Sequence, residues 1–237
     1  MTTEPKAWES VLARIEERLV DGRLRPGDHL PPERALAVEF GVARSSVREA
    51  IRVLEAMGLV RTQTGSGPSS GAIIVARPLG GMQALMRLQV AASGFPVADV
   101  VSTRLLLESS VAGELAERRP AGLADARQLL DAMDDPALTA QEFLALDAQF
   151  HLALAEAAGN AVVATMMAGL RSSIEGYVLA GAERIPDWEV MAARLRAEHR
   201  AVIDAIDAGD PAAARTRVHD HISGYYRDAP TPSTDAR

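Results

Sequence analysis

The sequence predicts a mainly α-helical protein of two domains: a small N-terminal domain with one β-hairpin, then an all-α bundle of six or seven helices. Three observations predict this fold class. Residues 25–63 have the pattern of helix, tight turn, helix and strand. A loop rich in glycine and serine then separates two apolar segments. Beyond Met82, apolar residues recur at helical spacing with almost no strand signal.

The first helix of the 25–63 stretch is predicted from about Pro32 to Phe40. Pro31 and Pro32 have a fixed φ and no amide to donate, which suits the first turn of a helix. Glu33 adds negative charge where the helix dipole favours it. Gly41 can adopt the left-handed conformation that ends the helix, and the next three residues turn the chain.

The second helix, predicted to run to about Met57, has one apolar and one polar face. Its apolar stripe contains Val47, Ile51, Val53, Leu54 and Met57. Its other side carries Arg44, Ser45, Arg48 and Arg52. An arginine near the start of such a helix can form two hydrogen bonds to one guanine in the major groove. The alternative is a solvated helix face, but the turn before it and the hairpin after it favour DNA recognition.

The hairpin is predicted from the apolar segments at 59–63 and 72–75. The connecting residues, Thr64 to Gly71, cannot form a core. Gly65 and Gly67 would let the backbone approach a phosphate or the minor groove. Together these elements predict a winged helix-turn-helix.

Residues 11–75 resemble the winged-helix domain of the GntR family of bacterial transcription regulators, through the stretch DGRLRPGDHLPPERALAVEFGVARSSVREAIRVLEAMGLV. The resemblance implies a double-stranded DNA partner and a set of contact residues: Arg34, Arg44, Ser45 and Arg48, with Gly65 at the wing. The chain has Ala43 where the family usually has a serine that can cap the second helix. Either Ser45 or Ser46 replaces that cap, or the start of the helix frays.

Composition limits the remaining possibilities. The net charge of −7 arises entirely beyond Val75, because acidic and basic residues are equal in number up to that point. No run of eighteen apolar residues and no signal-peptide pattern is present, so we expect no membrane span and a cytoplasmic location. The chain has no cysteine, so any metal must be held by histidine, aspartate or glutamate.

The domain boundaries follow from glycine, proline and the change of periodicity. We expect a winged helix-turn-helix domain at 1–76, a linker at 77–81, a helical domain at 82–228 and a disordered tail at 229–237.

Three histidines and one aspartate of the helical domain could converge on a metal. Asp147 and His151 are four residues apart and share a helix face. His199 and His221 are equidistant from a predicted turn at Asp210, so an antiparallel helical hairpin would place them at the same height. Such a set suits zinc, nickel or manganese. The alternative is a surface ion pair and two incidental histidines.

Residues 80–227 resemble the FCD ligand-binding domain of the FadR subgroup of GntR regulators. Three stretches carry the likeness: RLLLESSVAGELA, DAQFHLALAEAAGN and EHRAVIDAIDAGDPAAARTRVHDHI. The resemblance implies that Asp147, His151, His199 and His221 bind a divalent metal, commonly zinc. It also implies that Arg104 points into the same cavity, where a small carboxylate metabolite binds.

The sequence therefore predicts a metabolite-responsive transcriptional repressor that binds an inverted-repeat operator as a homodimer. One alternative is a metal-dependent hydrolase or lyase with an accessory DNA-binding domain. Against it, the sequence has no placed general base, nucleophile motif or phosphate-binding glycine loop. A second alternative is a DNA-binding scaffold whose helical half only dimerises and whose histidines are structural.

Overall fold

A computed structural model describes residues 6–63, 71–75, 79–92, 94–118 and 122–229. The chain divides into two compact units, Met1–Met82 and Gln83–Arg237. The described residues form ten helices and one two-stranded sheet, which confirms the predicted fold class. None of these described helices is long and apolar enough to cross a membrane.

The N-terminal unit contains three helices followed by a β-hairpin. Its elements are α1 (Ala7–Val20), α2 (Glu33–Phe40), α3 (Arg44–Ala56), β1 (Val60–Gln63) and β2 (Gly71–Ile74). The strands pair antiparallel, from Val60 opposite Ile74 to Gln63 opposite Gly71. The hairpin tip at 64–70, which includes Gly65, lies outside the described residues.

The core of this unit is built on α3, against which α1, α2 and β1 pack. Val47, Ile51 and Leu54 are buried, as the apolar stripe predicts, whereas Met57 lies just past the helix end and is 53% exposed. Gly41 ends α2 with a φ of 68°, as expected. Because the apolar stripe is buried, the opposite face of α3 with its arginines remains on the surface.

The loop before α2 pairs with the hairpin, a contact that the sequence did not suggest. His29 forms an isolated antiparallel bridge with Ile73. The Leu30 amide donates to the Ala72 carbonyl at 2.7 Å, and the Ile74 amide donates to the Asp28 carbonyl at 2.9 Å. The base of the hairpin is therefore held by backbone hydrogen bonds on both sides of β2.

Helix α3 begins without a side-chain cap. Its N-cap residue is Ala43, in an extended conformation with φ −66° and ψ 146°, and neither Ser45 nor Ser46 replaces the missing hydroxyl at that position. Of the two alternatives, a cap supplied by Ser45 or Ser46 is therefore not observed.

We expect Ala43→Ser to stabilise the N-terminal unit by about 1 kcal/mol, because a serine N-cap accepts a hydrogen bond from a free amide of the first turn. The candidate donors are the amides of Ser45 and Ser46, two and three residues on, and the Ser46 amide at present donates to the Ala43 carbonyl at 3.0 Å. Native-state hydrogen exchange of the buried α3 amides measures the change. Ala35→Ser, an exposed alanine-to-serine change on α2, is the control, and equal exchange rates in wild type and Ala43→Ser would contradict the prediction.

The helical domain contains seven helices among the described residues. They are α4 (Leu79–Ala91), α5 (Val97–Arg118), α6 (Ala124–Met133), α7 (Ala140–Ala157), α8 (Ala161–Ala182), α9 (Trp188–Ala208) and α10 (Pro211–Asp228). Helix α4 begins at Leu79, within the stretch 77–81 predicted as a linker. Ala229, the first residue of the predicted tail, is buried at the end of α10, and 230–237 lie outside the described residues.

The bundle packs α10 against α5 and α9, and α7 against α6 and α8. The α9–α10 turn follows the local signals of the sequence. Gly209 ends α9 with a φ of 68°, the Asp210 side chain accepts a hydrogen bond from the Ala213 amide at 2.9 Å, and Pro211 opens α10. This short turn brings α9 and α10 together as an antiparallel pair, which sets His199 opposite His221.

Candidate metal centre and DNA-binding helix

The four predicted metal ligands meet inside the helical domain. One ligand atom from each of Asp147, His151, His199 and His221 lies within 4.8 Å of the other three. The His221 Nε2 atom is 3.2 Å from Nε2 of both His151 and His199. Asp147 Oδ1 is 3.0 Å from His199 Nε2 and 3.7 Å from Nε2 of the other two histidines.

This spacing suits a single metal ion. Nitrogen ligands lie about 2.0–2.1 Å from zinc, so two ligands of one ion stand roughly 3 to 3.5 Å apart. All three histidines are buried, and they come from α7, α9 and α10. The Phe150 ring packs against His199, with 4.7 Å between ring centroids. The alternative of a surface ion pair with incidental histidines does not describe this buried arrangement.

Two glutamates that the sequence analysis did not identify hold the outer nitrogens of the histidines. Glu108 Oε2 lies 2.6 Å from His151 Nδ1, and Glu198 Oε2 lies 2.8 Å from His221 Nδ1. A carboxylate only accepts hydrogen bonds, so each Nδ1 carries a proton, and a ring in the neutral form that binds a metal has its lone pair on the inward-facing Nε2. Two lone pairs 3.2 Å apart cannot bond to each other, whereas a cation between them would satisfy both.

The pKa shifts of His199 and Asp147 favour metal binding, whereas that of His221 does not: burial alone would lower the pKa of His221, but its contacts with Asp147 and Glu198 outweigh burial and raise it. Burial, followed by the neighbouring His221, lowers the pKa of His199 to about 3, so His199 is neutral. Burial alone would raise the pKa of Asp147, but its contacts with the three histidines outweigh burial and hold that pKa well below its usual range. Neutral imidazole and ionised carboxylate are the forms that bind metals.

His199 differs from the other two histidines in its surroundings. Its Nδ1 atom is buried and has no hydrogen-bond partner among the described residues. Its ring is completely buried, so packing, including that of Phe150, fixes its orientation.

A cavity of about 360 Å³ opens beside the cluster, and Asp147 and His221 form part of its wall. Arg104 also lines it, as the resemblance implied, and donates from Nε to Glu108 and from Nη1 to the Tyr226 hydroxyl, both at 2.8 Å. The cluster and a buried guanidinium therefore share one cavity.

A second guanidinium, Arg171, lines the same cavity and was not identified from the sequence. Its Nη1 donates to Asp147 Oδ2 at 3.2 Å. The available signal was that Arg171 is the single cation of the mostly apolar helix α8. Two guanidinium groups beside a metal site favour an anionic ligand.

On the N-terminal unit, the four described residues predicted to contact DNA are all exposed: Arg34, Arg44, Ser45 and Arg48. Glu33 binds two of the arginines. Arg48 donates to its two carboxylate oxygens at 3.1 and 2.8 Å, and Arg44 Nη2 lies 3.6 Å from Oε2. The sequence suggested only a helix-dipole role for Glu33. The fifth predicted residue, Gly65, lies outside the described residues.

A winged helix-turn-helix with an arginine-bearing helix, followed by a helical domain with a metal-type cluster and an anion-favouring cavity, defines a DNA-binding transcription regulator with a sensor domain. Residues 8–68 match the model of bacterial regulatory proteins of the gntR family, and residues 99–224 match the FCD domain. The chain belongs to the GntR family of regulators and carries an FCD domain.

Similar proteins agree with this assignment. The chain is 33% identical over 225 residues to the transcriptional regulator LutR of Bacillus subtilis, covering 88% of this chain and 97% of LutR. It is 30% identical over 230 residues to the repressor NanR of Citrobacter rodentium, covering 92% and 83%. It is also 30% identical over 227 residues to a protein of Escherichia coli K12 named as a regulator of the L-lactate dehydrogenase operon, covering 91% and 83%.

The fold has a counterpart among solved structures. A GntR protein of Streptococcus agalactiae superposes with a TM-score of 0.66 at 26% identity, covering 94% of this chain and 100% of that one. These relatives are transcription regulators, not enzymes, and nothing among them supports the hydrolase or lyase alternative.

Proposed function

We propose that the protein is a cytoplasmic, homodimeric repressor that binds a short inverted-repeat operator and senses a small carboxylate through its metal-binding helical domain. The observation that carries this proposal is the shared cavity of Asp147, His221, Arg104 and Arg171 in a chain that also presents an arginine-bearing helix. The sensor and the DNA reader belong to one polypeptide, so a ligand of the first can regulate the second.

The metal in this proposal is zinc, with nickel or manganese as chemical alternatives, held by Asp147, His151, His199 and His221. When bound, the ion supplies positive charge and open coordination positions at the cavity. The buried guanidinium groups of Arg104 and Arg171 add further positive charge, each already partly balanced by a carboxylate. A carboxylate effector would complete the balance because it can bind both metal and guanidinium.

The DNA-binding half acts through Arg44, Ser45 and Arg48 on α3, with Arg34 and the hairpin tip at Gly65 contacting the backbone or minor groove. Regulators of this family bind DNA and typically act as dimers. Two copies related by a two-fold axis would read two half-sites of opposite orientation. We propose that the protein represses its target genes and that the metabolite relieves this repression. The relative NanR is likewise named a repressor.

Regulation requires that the effector bind the DNA-competent and incompetent arrangements with different affinity, typically by ~1–3 kcal/mol. L-lactate is the first acid to test, because one relative is named for the L-lactate dehydrogenase operon. It is small enough for the cavity and carries one carboxylate and one hydroxyl.

Selection of genomic fragments by the purified, zinc-loaded protein at physiological salt tests the DNA-reading half. We expect recovery of a compact inverted repeat, and the neighbouring genes would indicate which acids to test for release of the operator. Recovery of fragments without a shared sequence would contradict the DNA-reading assignment of α3. A protein that selects an operator but takes up no metal would instead support the scaffold alternative, in which the helical domain only dimerises.

A further inference from the structure

Glu108 is an almost fully buried carboxylate on α5, with a side chain only 2% exposed. Its Oε1 atom accepts a hydrogen bond from Arg104 Nε at 2.8 Å, and its Oε2 atom lies 2.6 Å from His151 Nδ1. Arg171 Nη2 lies 3.5 Å from the same Oε2 atom. One carboxylate therefore contacts a candidate metal ligand and both arginines of the cavity.

The contact with His151 decides which ring nitrogen carries the proton. Glu108 also contacts the guanidinium groups of Arg104 and Arg171, which can only donate, so its carboxylate is placed to accept hydrogen bonds. The ionised carboxylate can only accept, so the proton of the neutral ring stands on Nδ1. The lone pair is then on Nε2, the atom that faces His221.

The contact with Arg104 fixes the plane of its guanidinium group. Glu108 holds Nε from within α5, and the Tyr226 hydroxyl on α10 holds Nη1 at 2.8 Å. These two hydrogen bonds use two of the five N–H groups of the arginine. The orientation of Arg104 is thereby tied to the same carboxylate that orients His151.

We infer that Glu108 is a positioning residue that makes Nε2 of His151 a metal ligand and holds Arg104 in place at the cavity, so that the metal site and the anion site form one hydrogen-bonded unit. This inference rests on the proposed metal site. In this role Glu108 neither coordinates the metal nor contacts the effector itself; it acts only through His151 and Arg104.

The test is Glu108→Gln in the full-length protein, with zinc alone as the probe. Glutamine has the same size, but Arg104 Nε and His151 Nδ1 face different oxygens of Glu108, and the amide places an NH2 donor at one of these two positions. Competition with a chromophoric chelator should show zinc affinity lower by about 10- to 100-fold, the usual effect of losing a group that orients a metal ligand. Far-UV circular dichroism and thermal unfolding establish that the variant is folded.

Glu114→Gln provides a matched control on the same helix. Glu114 is partly exposed and forms an ion pair with Arg118 at 2.6 Å, away from the cluster ligands. The substitution is chemically identical, so a general effect of losing one negative charge from α5 would appear in both variants. We expect zinc affinity to be unchanged in Glu114→Gln.

A second measurement has two parts, and the first needs no substitution at Glu108, so it can be made even if that variant does not fold. Long-range proton–nitrogen correlation spectra of the zinc-free wild type at pH 8 should show His151 protonated on Nδ1. In Glu108→Gln, the Arg104 Nε proton should exchange faster with solvent, since its acceptor is weakened. If Glu108 had only a structural role, neither the position of the His151 ring proton nor the exchange rate of the Arg104 Nε proton would depend on it.

The outcomes separate this inference from the proposed function. A wild-type protein that binds no zinc overturns both. A wild type that binds zinc, together with a folded Glu108→Gln variant of equal zinc affinity, overturns only the role of Glu108. A zinc-free His151 with its proton on Nε2 overturns that role in the same way.

Discussion

His199→Ala is expected to lower zinc affinity by more than ~100-fold, a larger loss than removal of a group that only orients a ligand. His199 is completely buried, and its Nε2 atom lies 3.0 Å from Asp147 Oδ1 and 3.2 Å from His221 Nε2. No other described histidine is within the cluster to replace it. Effector affinity should fall with zinc affinity, because the proposed effector binds to the ion.

Zinc content after exhaustive dialysis and zinc affinity by chelator competition measure this effect. His219→Ala is the matched control, since His219 is on the same bundle, 56% exposed and directed to Asp220 rather than to the cluster. Binding of the N-terminal unit to random-sequence DNA should remain, because α3 and the cluster are in different compact units. Full zinc occupancy in His199→Ala would remove this residue from the proposed site.

Arg48→Ala is expected to weaken binding to the selected operator by ~1–3 kcal/mol and to relax the sequence preference at one base pair of each half-site. Arg48 is on the exposed face of α3, one turn from its N-terminus, where a recognition helix contacts base edges. Its guanidinium already makes a two-point contact with a planar carboxylate, Glu33, which is the geometry that guanine O6 and N7 also offer.

Titration of operator and random-sequence duplexes at several salt concentrations measures both parts of this prediction. A residue that reads a base affects the operator more than random DNA, whereas a phosphate contact weakens both alike and reduces the salt dependence. Equal losses on the two duplexes would therefore show that Arg48 contacts only phosphate. Arg127→Ala, which removes an exposed arginine paired with Asp207 in the helical domain, should leave both affinities unchanged.

Elements governed by local signals were predictable from the sequence. The start of α2 after two prolines, its end at Gly41 and the α9–α10 turn at Asp210 follow the expected residues closely. Helix α4 shows the limit of such signals. Two adjacent glycines favoured a linker, since glycine costs about 1 kcal/mol per residue in a helix, yet the helix begins at Leu79 and includes both.

Only the part of the candidate site that depends on spacing along the chain could be predicted from the sequence. Asp147 and His151 share one helix, and a short turn sets His199 opposite His221, so spacing along the chain was sufficient to group them. Glu108 comes from a different helix and reaches His151 only through packing of the bundle. The bridge of His29 to Ile73 is likewise a pairing between distant segments. Contacts of this kind leave no periodicity in the sequence.

Glu33 competes with DNA for Arg48 and Arg44, because both arginines already contact its carboxylate. A phosphate or a guanine edge that approaches α3 must displace a carboxylate that already binds Arg48 at two points. Either can replace both hydrogen bonds only if it offers two acceptors in the correct position. The carboxylate therefore lowers the net gain of every DNA contact that Arg48 makes, and least for those that supply both acceptors at once.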